Sequence, residues 1–231
     1  KKIFFFFNAM DNKVINKLTL IQENIKRLSI DNFLIPKVIC VSKTFHIDKL
    51  KPLIDHGHHD FGENKVQEAI LKWSKIKKDK SNLKLHMIGK LQTNKAKKAV
   101  ELFDYIHSLD TTKLANALKK GEKEFNKKLK YFIQINIGNE EKKSGIMKNE
   151  AKNFLNYCQK ELDLDIIGLM IIPPNDGNTK KYFKEISELN SDLGLEHLSM
   201  GMSEDYELAI KFNSTFLRIG SAILGPRTVN E

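Results

Sequence analysis

An alternation repeated eight times constrains the fold of this chain most. A short run with apolar residues at its centre recurs eight times, and each of the first seven is followed by a stretch with apolar residues at helical spacing. The runs are "KVICVS" (37–42), "HDFGEN" (59–64), "LKLHMIG" (83–89), "DYIHSLD" (104–110), "KYFIQINIG" (130–138), "LDIIGLMII" (164–172), "EHLSMG" (196–201) and "STFLRIGSAIL" (214–224). A helical pattern over residues 10–29, with Val14, Leu18, Ile21, Ile25 and Leu28 on one face, comes before them. Strands separated by helices pair in parallel, and continuously apolar strands are those covered on both faces. Eight such units in 231 residues predict a single (β/α)8 TIM barrel, whose usual length is about 250 residues. A doubly wound open sheet is the competing layout. It is disfavoured because no G-x-G-x-x-G follows the first strand and no G-x-x-x-x-G-K-[ST] occurs anywhere. No linker or break in composition divides the chain, so residues 10–231 are expected to form one domain behind an extension at 1–9.

Bulk properties exclude several classes. No apolar run approaches the ~20 residues needed to span a bilayer, which predicts no membrane association. The opening "KKIFFFFNAM" has too short an apolar core for a signal peptide and no small-residue cleavage site after it. It reads as a docking or disordered end. Cys40 and Cys158 lack metal-ligand spacing, so no metal site is expected, and a reducing, cytoplasmic setting fits. The net charge of +10 raises nucleic-acid binding as a role. Its lysines, however, alternate with Glu, Asn and apolar residues at helical spacing and form no basic strip interleaved with aromatics, so no nucleic-acid partner is expected.

In a barrel of this type, chemistry gathers where strands end. Those ends carry Ser42-Lys43-Thr44, Gly62-Glu63-Asn64, His86 to Gly89, His107-Ser108, Asn136, Met170 to Pro173, Ser199 to Ser203, and Arg218 to Ser221. The loops after strands seven and eight are the common phosphate-binding place in such barrels. There "SMGMS" offers Ser203 as a helix N-cap, and "RIGSAI" offers Gly220, where backbone can approach a ligand, and the hydroxyl of Ser221. Lys43 ends an apolar strand on the same rim. Desolvation there favours the neutral, nucleophilic amine, and such an amine beside a phosphate cradle suggests a Schiff base with a phosphorylated aldehyde.

The stretches "VSKTF", "DFGENKVQE", "LHMIGKLQTNK", "IHSLD", "INIGNEEKKSGI", "GLMIIP" and "LSMGMSEDYELAI…STFLRIGSAILGPR" resemble the pyridoxal phosphate homeostasis protein family from about residue 12 to Arg227. This family is the single-domain relative of the alanine racemase N-terminal barrel. The resemblance implies that Lys43 forms the covalent aldimine with pyridoxal 5′-phosphate and that Arg218 faces the pyridine nitrogen. It further implies that Ser203, Gly220 and Ser221 hold the phosphate, that Asn64 and His86 lie on the rim, and that Met170 packs near the ring. Three positions depart from the family pattern. Lys65 stands in place of a common tyrosine, Leu85 in place of tryptophan, and Asn213 in place of glycine at a turn that needs the left-handed conformation.

Alanine racemase needs a second base and a further domain, and this chain reaches its end at the eighth strand. The expected role is therefore a monomeric cytoplasmic carrier that stores pyridoxal phosphate, supplies apo-enzymes that use it and maintains vitamin B6 homeostasis, with no catalytic residue assigned. The alternative is a racemase-like pyridoxal phosphate enzyme acting on amino acids.

Overall fold

The computed structural model of the chain describes residues 2–29, 34–140 and 143–226, with side chains from residue 12 onward. All eight predicted strands are present: β1 (Lys37–Val41), β2 (Asp60–Glu63), β3 (Lys84–Met87), β4 (Tyr105–Leu109), β5 (Lys130–Gln134), β6 (Asp165–Met170), β7 (His197–Ser199) and β8 (Phe216–Ile219). They pair in parallel in sequence order, and β8 returns to β1 to close the barrel. The helices are α1 (Lys2–Leu28), α2 (Lys51–Asp55), α3 (Val66–Asp79), α4 (Ala96–Leu102), α5 (Thr112–Phe125), α6 (Ala151–Asn156), α7 (Thr179–Asp192), α8 (Tyr206–Lys211) and α9 (Ser221–Leu224).

Strand alternation divides the apolar residues between two cores. Ile39, Tyr105, Phe132, Met170 and Phe216 form a small cluster inside the barrel. The larger cluster includes Val38, Cys40, Phe61, Leu85, Tyr131 and Ile133, which meet the helical layer. Helix α3 shows how that layer is docked: Val66, Ala69 and Trp73 recur at helical spacing and are buried. Helix α5 starts at Thr111, whose hydroxyl accepts from the Leu114 N–H at 3.2 Å, and ends at Asn126 in the left-handed conformation.

Several expectations change at this level. The first helix does not begin near residue 10 but runs back to Lys2, through the expected extension. The eighth run divides at Gly220, strand before it and the short helix α9 after it. Arg227, the last residue of the family-like stretch, lies outside the described residues. Among the described residues, no helix is long and apolar enough to cross a membrane. Asn213 adopts φ +63°, as its replacement of a turn glycine requires. Leu85 is fully buried opposite Phe61, so the layer behind β3 closes without a larger ring. Lys65 is an exposed residue before α3 that pairs with Glu68 at 2.7 Å and does not line the cleft described next.

Candidate functional site

A cleft of about 310 Å³ opens at the carboxyl ends of the strands, lined by Lys43, Asn64, Ser203, Arg218, Gly220 and Ser221 together with Val41, Ile88 and Ile172. Six of the eight residues singled out in the sequence thus meet in one place.

Lys43 arrives there by strand alternation. Ile39 belongs to the inner cluster and Val41 lines the cleft, so Lys43 continues the inward-facing series of β1. The peptide before it is tied to the outer layer. The Ser42 hydroxyl donates to Glu63 Oε1 at 2.7 Å, and Lys72 Nζ donates to the Ser42 carbonyl at 2.7 Å. Glu63 Oε1 also accepts from Lys72 Nζ and from Trp73 Nε1, each at 2.9 Å. After Lys43, Thr44 sits at φ +68°, costly for a β-branched residue. Lys43 is therefore held between an anchored peptide and a strained one. Glu63 is wholly buried and faces the helices instead of the rim, contrary to its expected position. Ser42, Glu63, Lys72 and Trp73 are the supports that sequence reading missed. A hydroxyl immediately before the rim lysine and a strand glutamate followed nine and ten residues later by Lys and Trp were the available signals.

The two last loops converge as expected, but by a different contact. Ser203 does not cap its own helix, since Asp205 precedes α8 and accepts from the Met202 N–H at 2.6 Å. Instead, Ser203 Oγ accepts from the N–H groups of Gly220 at 3.4 Å and Ala222 at 3.2 Å, joining the seventh loop to the eighth. Its own proton remains to donate. The backbone N–H groups of Ser203 and Ser221 make no hydrogen bond among the described residues. A Cβ on Gly220 would meet Val41 Cβ at 3.3 Å, so the bare backbone keeps this wall close to β1. Hydroxyls and unused N–H groups on one wall, an amine on another and a guanidinium on the floor form a donor set suited to a phosphorylated anion.

Arg218 is buried, and burial pulls its pKa down to about 10, so it is still a cation at neutral pH. Nη1 donates to Ser199 Oγ at 2.7 Å and Nη2 to the Ile171 carbonyl at 2.8 Å, leaving its other N–H bonds available.

His86 and Met170 do not line the cleft. Both are fully buried lower in the barrel. His86 pairs in register with Gly62, two residues short of Asn64, and Met170 with Ser199. His107 and Ser108, expected on the rim, are also interior. Both cysteines are free and buried, and burial pushes the Cys158 thiol up to about 12 and the Cys40 thiol higher still, so neither is a nucleophile. Among the described residues, no group of His, Cys, Asp and Glu could hold a metal ion.

A closed eight-stranded parallel barrel, with Lys43 and Arg218 lining the cleft at its carboxyl end, is the architecture of the alanine racemase N-terminal barrels. The family model described as alanine racemase, N-terminal domain, matches residues 17–228. Within that class, the chain belongs to the pyridoxal phosphate homeostasis protein family. It is 36% identical over 200 residues to the pyridoxal phosphate homeostasis protein of Aquifex aeolicus, covering 83% of this chain and 87% of the relative. The protein of the same name from Escherichia coli is 34% identical over 203 residues, covering 84% and 87%. Among solved structures, PipY of Synechococcus elongatus with PLP bound matches with a TM-score of 0.82 at 30% identity, covering 92% of this chain and 100% of PipY. An alanine racemase from Clostridium difficile shares the fold at 15% identity, with a TM-score of 0.70 over 95% of this chain and 58% of the racemase.

Proposed function

We propose that this protein binds pyridoxal 5′-phosphate in the cleft, holds it as a Schiff base on Lys43, and stores and releases it in the service of vitamin B6 homeostasis. The observation that carries this reading is the meeting of Lys43, Arg218, Ser203, Gly220 and Ser221 around one cleft. The bound PLP of PipY, similar over the whole length of that protein, supports it.

When bound, pyridoxal phosphate supplies an aldehyde carbon and an electron-withdrawing pyridine ring. Lys43 would supply the primary amine to which the aldehyde of a bound cofactor is joined. The Ser203 and Ser221 hydroxyls, with the unused N–H groups beside them, hold the phosphate. Arg218, a cation with N–H groups to spare on the cleft floor, would donate to the ring nitrogen and so favour its unprotonated form, which would weaken the ring as an electron sink.

A carrier role suits this arrangement better than turnover. Racemisation needs a proton-transferring group on each ring face, and beyond Lys43 the carboxylates of Glu204 and Asp205 are the described lining groups that the racemase-like reading would have to use. Ile172 and Met202 are part-exposed at the mouth, which suits exchange with apo-enzymes. The two free, buried thiols suit a reducing, cytoplasmic setting, and the binding unit in this reading is a monomeric barrel from residue 10 onward. The test is a titration with pyridoxal phosphate, which should give a visible absorption band that Lys43→Ala abolishes, with no racemisation or decarboxylation of amino acids. Turnover at enzyme-like rates would favour the racemase-like reading.

A further inference from the structure

A line of hydrogen bonds crosses the barrel interior from its amino-terminal mouth to the cleft. Arg218 Nη1 donates to Ser199 Oγ at 2.7 Å, and Ser199 Oγ lies 2.8 Å from His107 Nδ1. His107 Nε2 is 3.0 Å from His86 Nδ1, and His86 Nε2 is 3.0 Å from Asp60 Oδ1. The five side chains come from β8, β7, β4, β3 and β2. All but Asp60 are buried; its side chain is 22% exposed and borders a second cavity with Lys26, Lys37 and His59.

Elementary donor and acceptor rules give this line one direction. A guanidinium only donates and a carboxylate only accepts. A hydroxyl can accept twice, so the carboxylate end decides the direction: with Asp60 accepting along a line of neutral histidines, Ser199 accepts from Arg218 and gives its single proton to His107 Nδ1. His107 then carries its proton on Nε2 and donates it to His86 Nδ1. His86 in turn carries its proton on Nε2 and donates to Asp60. A reversed line would require a protonated Asp60 beneath a buried guanidinium.

The surroundings favour the same state. Burial lowers the proton affinity of both histidines, and His107 is lowered further by His86 and Arg218. Burial alone would raise the Asp60 carboxyl, but the hydrogen bond with His86 and, more weakly, the nearby Lys37 ammonium lower it. The rings of Tyr105 and Phe132 stack on His86 and His107 with centroids 4.3 Å away in each case. Arg218 forms no ion pair of its own among the described residues, with Asp205 acting on it only at a distance.

We propose that Asp60 is the remote counter-charge of Arg218, and that Ser199, His107 and His86 are positioning residues whose tautomers hold the guanidinium in its place on the cleft floor. The histidines, both expected on the rim, serve the site from below. The inference concerns the same arginine as the cofactor reading, but its first test needs no cofactor.

In 15N spectra of imidazole-labelled protein without ligand, His86 and His107 should both be neutral Nε2–H tautomers from pH 6 to 8. An Nδ1–H tautomer or an imidazolium at either position would overturn the proposal. Asp60→Asn replaces a pure acceptor by an amide that can accept or donate, so an Nδ1–H population should appear at His86 and His107 together. A change confined to His86 would refute the remote role of Asp60. If the variant does not fold, the unsubstituted spectrum decides. With pyridoxal phosphate added, Asp60→Asn should shift the pH dependence of the absorption band in the same direction as Ser199→Ala; opposite or absent shifts count against the relay. A protein that shows both tautomers yet binds no pyridoxal phosphate would refute the cofactor reading alone.

Discussion

Lys72 Nζ donates to the carbonyl oxygen of Ser42 at 2.7 Å, so the peptide that leads into Lys43 is fastened to α3. The same ammonium pairs with the wholly buried Glu63 at 2.9 Å. Glu63→Ala leaves Lys72 without its partner and Ser42 and Trp73 without their acceptor. Breaking a buried pair in this way costs about 3–5 kcal/mol. Urea unfolding should show the midpoint falling accordingly, with a smaller fall for Glu63→Gln. Equal midpoints for Glu63→Ala and the unsubstituted protein would show that this anchor contributes nothing.

Gly201 shapes the seventh loop. It sits at φ +91°, and a Cβ there would come within 2.6 Å of Ala209 Cβ. Gly201→Ala should therefore displace Ser203 and weaken capture of inorganic phosphate and pyridoxal phosphate alike. Calorimetric titration with each ligand checks this. Unchanged affinities would mean that the loop adapts without loss of the cradle.

Burial makes stability depend on pH. His58 is held down to about 4 by desolvation, His86 is lowered, and His107 lies well below the ordinary value of 6.5. As pH falls below 6.5, the unfolded chain takes up protons that these folded histidines refuse, so stability is present above that value and lost below it. Each such group contributes about 1.4 kcal/mol per pH unit within its window. The melting temperature should fall steadily from pH 7 to pH 5, and a flat profile would contradict the burial of neutral histidines.

The barrel was legible because parallel strands covered on both faces leave continuous apolar runs, and several of the eight runs that recur with helices between them are of this kind. Position around the barrel was legible too, since Lys43, Asn64, Ser203 and Arg218 all end strands or begin loops. Height along the barrel axis was not. It follows from the stagger between neighbouring strands, which no single run encodes. His86 is therefore in the interior because it pairs with Gly62, while Asn64, two residues further, reaches the cleft. Likewise Ser199 pairs with Phe216, two residues below Arg218. The Ser203 contact escaped for a related reason: its hydroxyl reaches across to Gly220 and Ala222 on another loop, where local capping rules do not look.

Mapping the borohydride-reduced adduct tests the central claim most directly. Protein incubated with pyridoxal phosphate and reduced should carry one phosphopyridoxyl group on the peptide containing Lys43, and Lys43→Ala should carry none there and lose the visible band. A reduced adduct on another lysine, or an unaltered band in Lys43→Ala, would contradict it.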